Sequence, residues 1–188
     1  MQFVADAYLK AAGWSVCNDI PDDVDKCVII GAPHTSGWDF IYTLAVANKF
    51  GLALRWVGKD SLFEPPFGPI MKGLGGISID RSTSHNYVEA IAAKLRAARE
   101  MALVIAPEGT RSQTDRWKSG FYWIAKEADV PIVLGIVDYQ RKVAGLAKMI
   151  YPIGSPEEVM DQIRDLYHAE MSLHPEQYTI PRLSAEGD

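Results

Sequence analysis

A histidine and an aspartate stand five positions apart in Pro33-His34-Thr35-Ser36-Gly37-Trp38-Asp39, directly after the apolar run Cys27-Val28-Ile29-Ile30-Gly31. A histidine oriented by a carboxylate can take a proton from a hydroxyl. In one regular helix the two residues would differ by ~140° around the axis and could not meet. They can meet if His34 lies in a turn and the helix starts after it. Ser36 is then the expected N-cap, with Asp39 three residues on in a capping-box pattern. The same pattern also reads as a plain helix cap with no chemistry attached.

A second polar cluster, Pro107-Glu108-Gly109-Thr110-Arg111-Ser112, follows the apolar run Leu103-Val104-Ile105-Ala106. Gly109 permits a tight turn or a close backbone approach. Arg111 offers a fork that fits phosphate, and Thr110 and Ser112 add hydroxyls. The plainer reading is a solvated turn with a Glu108–Arg111 ion pair. A third segment, Gly75-Gly76-Ile77-Ser78-Ile79-Asp80-Arg81, ends in an arginine just before Ser82-Thr83-Ser84, which opens a helical pattern. Arg81 can bind an anion there, or it is an ordinary surface arginine beside a helix cap. Lys118 could add a cation to the second cluster, and Lys59 is a weaker candidate of the same kind. The chain has no P-loop, no dinucleotide fingerprint and no G-x-S-x-G nucleophile elbow. His85, His168 and His174 have no partner at metal or triad spacing, so no metal is expected.

The elements that must hold these residues alternate. Strand patterns cover Val28–Gly31, Leu54–Val57, Gly76–Ile79, Leu103–Ala106 and Ile132–Val137, with a further arm near Lys142–Tyr151. Helical patterns cover Phe3–Trp14, Asp39–Phe50, Asn86–Arg99, Tyr122–Ala128 and Pro156–Met171. This alternation predicts a single α/β domain over 1–188: a mixed, largely parallel sheet flanked by helices on both faces. Its parts are an N-terminal amphipathic helix in 1–20, a motif-bearing core over 27–137, and a C-terminal strand and helix over 138–188. Ligands of such sheets bind beyond the carboxyl ends of the strands, where both clusters fall.

The 188 residues carry a net charge of −5, which argues against a nucleic-acid partner and against whole-molecule attraction to anionic lipid. The two cysteines, Cys17 and Cys27, have no metal spacing and are expected to be reduced. No apolar run approaches the ~20 residues that span a bilayer. A cytoplasmic protein is expected, with peripheral contact at the inner face of the membrane through the Phe3–Ala12 stripe as one use of that helix and packing on the sheet as the other.

Taken together, the segments resemble the glycerolipid acyltransferases of the lysophosphatidic acid acyltransferase type. Four ordered blocks correspond: His34 to Asp39 (H-x-x-x-x-D), Gly75 to Arg81, Pro107 to Ser112 (P-E-G-T-R-S), and Val130-Pro131-Ile132-Val133-Leu134-Gly135. The resemblance covers roughly Cys27 to Val137. It implies transfer of an acyl group from acyl-CoA or acyl-carrier protein to a hydroxyl of a glycerol phosphate or lysophospholipid acceptor, with no further cofactor. It implies His34 as general base and Asp39 as its orienting partner. It implies an acceptor site of Arg81, Glu108, Gly109, Thr110 and Arg111, and Pro131 shaping the acyl or acceptor channel. Pro33 replaces an asparagine often found before the histidine, and Ser78 and Ala106 stand where phenylalanine is frequent. A thioester hydrolase and a non-catalytic phospholipid-binding module are the competing functions.

Overall fold

In a computed structural model of the chain, the structure describes residues 2–79 and 84–183. The strands are β1 (Ser15–Asn18), β2 (Lys26–Gly31), β3 (Leu54–Lys59), β4 (Gly76–Ile79), β5 (Met101–Ile105), β6 (Ile132–Asp138) and β7 (Val143–Ile150). The helices are α1 (Gln2–Ala11), α2 (Trp38–Phe50), α3 (Gly68–Gly73), α4 (Ser84–Ala97), α5 (Gly120–Ala128) and α6 (Pro156–Arg164). Among the described residues the sheet has seven strands in the order β1-β7-β6-β2-β5-β3-β4. Strands β6, β2, β5, β3 and β4 run parallel; β7 is antiparallel to β6 and parallel to β1.

β2 lies between β5 and β6, in register Ile30↔Ile105 and Gly31↔Gly135. A central parallel strand is covered on both faces, so its sequence reads as an unbroken apolar run. Val28 and Ile30 pack on one face with Leu103, Ile132 and Leu134, beneath α4, α5 and α6. Cys27 and Ile29 alternate to the other face, with Ala102, Val133 and Leu146. That second face carries α1 and α2. The expected α/β domain with helices on both faces is what forms.

α1 is not a free amphipathic helix. Ala5 and Leu9 are buried in one cluster with Tyr42, Ala45 and Val46 of α2 and Val137 and Ala144 of the sheet. Asp6 of α1 also pairs with Lys10 and with Lys49 of α2, and these bonds pull its carboxyl down to about 2. The helix closes at Gly13, whose left-handed φ of 74° lets Trp14 N–H reach the Leu9 carbonyl (2.8 Å) and Gly13 N–H the Lys10 carbonyl (3.0 Å). The chain then turns Trp14 inward, onto Tyr42. Phe3 remains exposed.

Three elements differ from the sequence expectation. β1, too short and polar to stand out, is defined by its pairing with β7. α3 contains a proline and two glycines, poor helix formers; its Gly68 fits because a Cβ there would meet the Phe63 carbonyl at 1.9 Å. α6 stops at Arg164, before the expected Met171, because Tyr167 leaves the helix direction and enters the core. Its hydroxyl donates to the carbonyls of Gly135 (2.9 Å) and Ile30 (3.3 Å). No helix among the described residues is long and apolar enough to cross a membrane.

The burial of α1 gives a direct test. Leu9→Ala removes a side chain that is 2 % exposed and should cost about 2–5 kcal/mol in chemical denaturation. An unchanged denaturation midpoint would mean that α1 adds nothing to the fold.

Candidate active site

β2 ends at Gly31 and α2 starts at Trp38, so His34 lies in the intervening turn and Asp39 in the first turn of the helix. This resolves the spacing: His34 Nδ1 is 3.1 Å from Asp39 Oδ2. The same oxygen accepts the backbone N–H groups of Thr35 and Ser36, each at 2.9 Å. The other oxygen, Oδ1, accepts the Tyr139 hydroxyl at 2.7 Å. A carboxylate that accepts from so many donors makes Nδ1 the protonated ring nitrogen and leaves the Nε2 lone pair available. Ser36 is not the N-cap. Gly37 occupies that position, and the Ser36 hydroxyl accepts from Trp38 N–H at 3.2 Å. With Gly37 as N-cap, Asp39 is the second helical residue and its bond to Ser36 N–H is not a capping box; the expected Ser36–Asp39 box does not form.

The second cluster approaches from β5. Gly109, at φ 69°, turns the loop, and its N–H reaches the Ala106 carbonyl at 3.1 Å. Glu108 points inward and does not pair with Arg111. Its Oε1 accepts the His34 backbone N–H at 3.0 Å. Its Oε2 is buried with no hydrogen-bond partner among the described residues. Burial pushes the Glu108 carboxyl up to about 7, against the pull of the backbone N–H donors. Lys118 lies over Gly109, where an added Cβ would come within 3.3 Å of Nζ, and its N–H bonds the Pro107 carbonyl at 2.9 Å. Arg111 lies against the start of α2: an added Cβ on Gly37 would be 3.3 Å from Nη1. The Thr110 hydroxyl accepts from Ser112 N–H. His34, Asp39, Glu108, Gly109, Thr110, Arg111 and Lys118 are thus gathered at neighbouring strand ends.

One predicted residue, Pro131, is not gathered there, and Arg81 lies outside the described residues. Pro131 precedes β6, and its carbonyl accepts from Val28 N–H at 3.0 Å. Three residues of strand, ~10 Å, separate that end of the sheet from Gly31, so Pro131 stands away from His34 and lines no part of the cavity beside it. Lys59 is exposed at the end of β3.

That cavity, about 860 Å³ with its open mouth included, starts at His34 and Asp39 and runs between α2 and the sheet. Its walls are apolar: Phe40, Val46 and Ala47 of α2 face Ile29, Val104 and Leu146 of the strands, with Leu52 and Trp56 beside them.

Several positions escaped the sequence reading. Tyr139 follows β6; its signal was its place at the carboxyl end of a strand next to β2. Residues 167–183 bind both polar loops. His174 N–H donates to Thr35 Oγ1 at 3.3 Å. Gln177, with its amide nitrogen turned toward them, donates to the carbonyls of Arg111 (2.6 Å) and Thr35 (3.3 Å). Nothing in the sequence marks those contacts.

Residues 18–134 match the family model described as Acyltransferase. The chain belongs to the acyltransferase family. A protein of Cocos nucifera named 1-acyl-sn-glycerol-3-phosphate acyltransferase is 38% identical over 80 residues, 40% of this chain and 26% of that one. One of the same name from Limnanthes douglasii is 28% identical over 158 residues, 74% of this chain and 55% of that one. This acyltransferase chain therefore spans about a quarter to about half of the length of those curated relatives. The fold is similar to that of the 1-acyl-sn-glycerophosphate acyltransferase PlsC of Thermotoga maritima, with a TM-score of 0.61 at 18% identity over 88% of this chain and 74% of that one.

Glu108 gives the acyltransferase chain a measurable pH signature. Folded, it keeps its proton up to about 7; unfolded, it releases it near its ordinary 4.5. Its contribution to stability is full below 4.5 and is lost as pH rises through 7. Glu108→Gln removes that slope. The melting temperature of the variant minus that of the parent should rise steadily between pH 4.5 and 7.5, and a flat difference would contradict the assigned titration.

Proposed function

We propose that the chain transfers a fatty acyl group from acyl-CoA or acyl-carrier protein to the free hydroxyl of a 1-acylglycerol 3-phosphate, with His34 as the general base. The observation that carries this reading is the 3.1 Å contact of His34 Nδ1 with Asp39 at the mouth of an apolar cavity. His34 Nε2 takes the acceptor's hydroxyl proton as that oxygen attacks the thioester carbonyl carbon. Asp39 stabilises the imidazolium that forms. The tetrahedral intermediate collapses, the C–S bond breaks, and the proton on Nε2 passes to the departing thiolate. General-base assistance of this kind contributes ~10²–10⁴ in rate.

The acceptor phosphate belongs near Arg111 and Lys118, with Gly109 and Thr110 shaping the turn and Arg81 as a further cation. A guanidinium beside the start of α2 is a cation at the positive end of a helix whose N-cap bonds through no side chain. An anion placed there meets both. Glu108 acts from behind, by fixing the His34 backbone. The apolar cavity holds an acyl chain, and the acceptor is drawn from a membrane surface, which makes the protein a peripheral one. The family membership and the names of the curated relatives support this substrate class.

The test is product analysis by mass spectrometry with acyl-CoA and 1-acylglycerol 3-phosphate. His34→Ala should lower turnover by ~10²–10⁴ with the fold intact; near-parent turnover would exclude His34 as the base. Arg111→Ala should raise the acceptor KM about tenfold or more and leave the donor KM unchanged, whereas an unaltered acceptor KM would remove Arg111 from the phosphate site. Coenzyme A release at the same rate without acceptor would favour a thioester hydrolase instead.

A further inference from the structure

We propose that Tyr139 is a positioning residue for this acyl transfer, its hydroxyl holding Asp39 in the orientation that faces His34. The inference rests on His34 being the general base. Tyr139 lies outside all four blocks and beyond the residues 18–134 that match the family model.

The division of labour on Asp39 is the argument. Oδ2 is shared between the His34 ring and two backbone amides. Those three bonds converge on one atom, so by themselves they leave the carboxylate free to tilt about it. The bond from Tyr139 to Oδ1, at 2.7 Å, fixes the second oxygen and with it the plane of the group. Asp39 is 6 % exposed, so without Tyr139 its Oδ1 would be a buried acceptor deprived of this donor.

Tyr139 is itself held. Its N–H donates to the Met171 carbonyl at 2.9 Å. Its ring meets Trp14 and Tyr42 edge-on, with centroids 5.2 and 5.8 Å away and interplanar angles of 88° in both cases. Trp14 stacks on Tyr42 at 4.0 Å. Burial first, and then the bond to Asp39 and its charge, push ionisation of the Tyr139 phenol well above the ordinary tyrosine range. The hydroxyl therefore stays a donor at every pH at which a histidine base works.

Tyr139→Phe in the full chain keeps the ring and deletes the bond. Steady-state kinetics with acyl-CoA and 1-acylglycerol 3-phosphate should show kcat reduced ~10- to 100-fold, the loss expected for one hydrogen bond to a charged group, with both KM values within about twofold of the parent. In ¹⁵N-histidine-labelled protein the His34 ring signals should move. A kcat within about twofold of the parent, or unmoved His34 signals, overturns the proposal. 3-Fluorotyrosine at 139 keeps ring and hydroxyl and should restore most of the activity; a loss equal to that of phenylalanine overturns it. If the phenylalanine variant does not fold, the fluorinated protein serves alone: its more acidic phenol strengthens the bond to Asp39 and moves the His34 signals, and signals identical to the parent's count against Tyr139. An active His34→Ala variant would instead end the general-base reading, while the ring signals still report whether Tyr139 governs the His34–Asp39 pair.

Discussion

One carboxylate organises the candidate site of this protein. Asp39 accepts from the His34 ring, from two amides of the turn that precedes its own helix, and from Tyr139 just after β6. A buried charge is costly unless several donors satisfy it, and bonds to an ionised acceptor are the stronger ones. Three donors come from the turn at 34–36 and the fourth from the loop after β6, so satisfying the charge fixes that turn, the start of α2 and that loop relative to one another. Glu108 adds the complementary constraint from β5, gripping the His34 main chain while Asp39 grips its ring.

The sheet makes this convergence inexpensive. β5, β2 and β6 are adjacent and parallel, so the loops after their carboxyl ends emerge side by side. The two faces differ in how they are filled. Beneath α4, α5 and α6 large side chains such as Trp117, Phe121 and Tyr122 close the core. Beneath α2 space remains, bounded by Ile29, Val104 and Leu146 and opening at the histidine. The same face thus supplies both a polar mouth and an apolar interior.

How much of this was legible depends on sequence distance. β2, β5 and β6 announce themselves as short apolar runs, and Gly13 marks the end of α1. β1 and α3 have weak local signals and exist through their partners. His34 and Asp39 were legible as a pair because both lie in one turn, although the capping and catalytic readings could not be separated there. Geometry separates them: Gly37 is the N-cap with no side-chain cap bond, and Asp39 faces the His34 ring. Glu108 reads as an acceptor-site residue or as a partner of Arg111, and its bond to the His34 backbone amide leaves no trace in residue types. Tyr139, a hundred positions from Asp39, and Gln177 lie beyond any local pattern. Pro131 was read by its block and not by its strand end, which the register puts at the amino end of β6, away from the carboxyl ends of the strands.

The grip of residues 167–183 on the loops around Thr35 and Arg111 has a consequence for how the protein is made. Synthesis is vectorial, and these residues emerge from the ribosome after every other part of the site. A nascent chain that has not reached them lacks the bonds from His174 and Gln177 that tie the histidine turn to the arginine loop. The tie between the two loops is therefore the last part of this end of the sheet to close, after the strands that carry both loops have emerged.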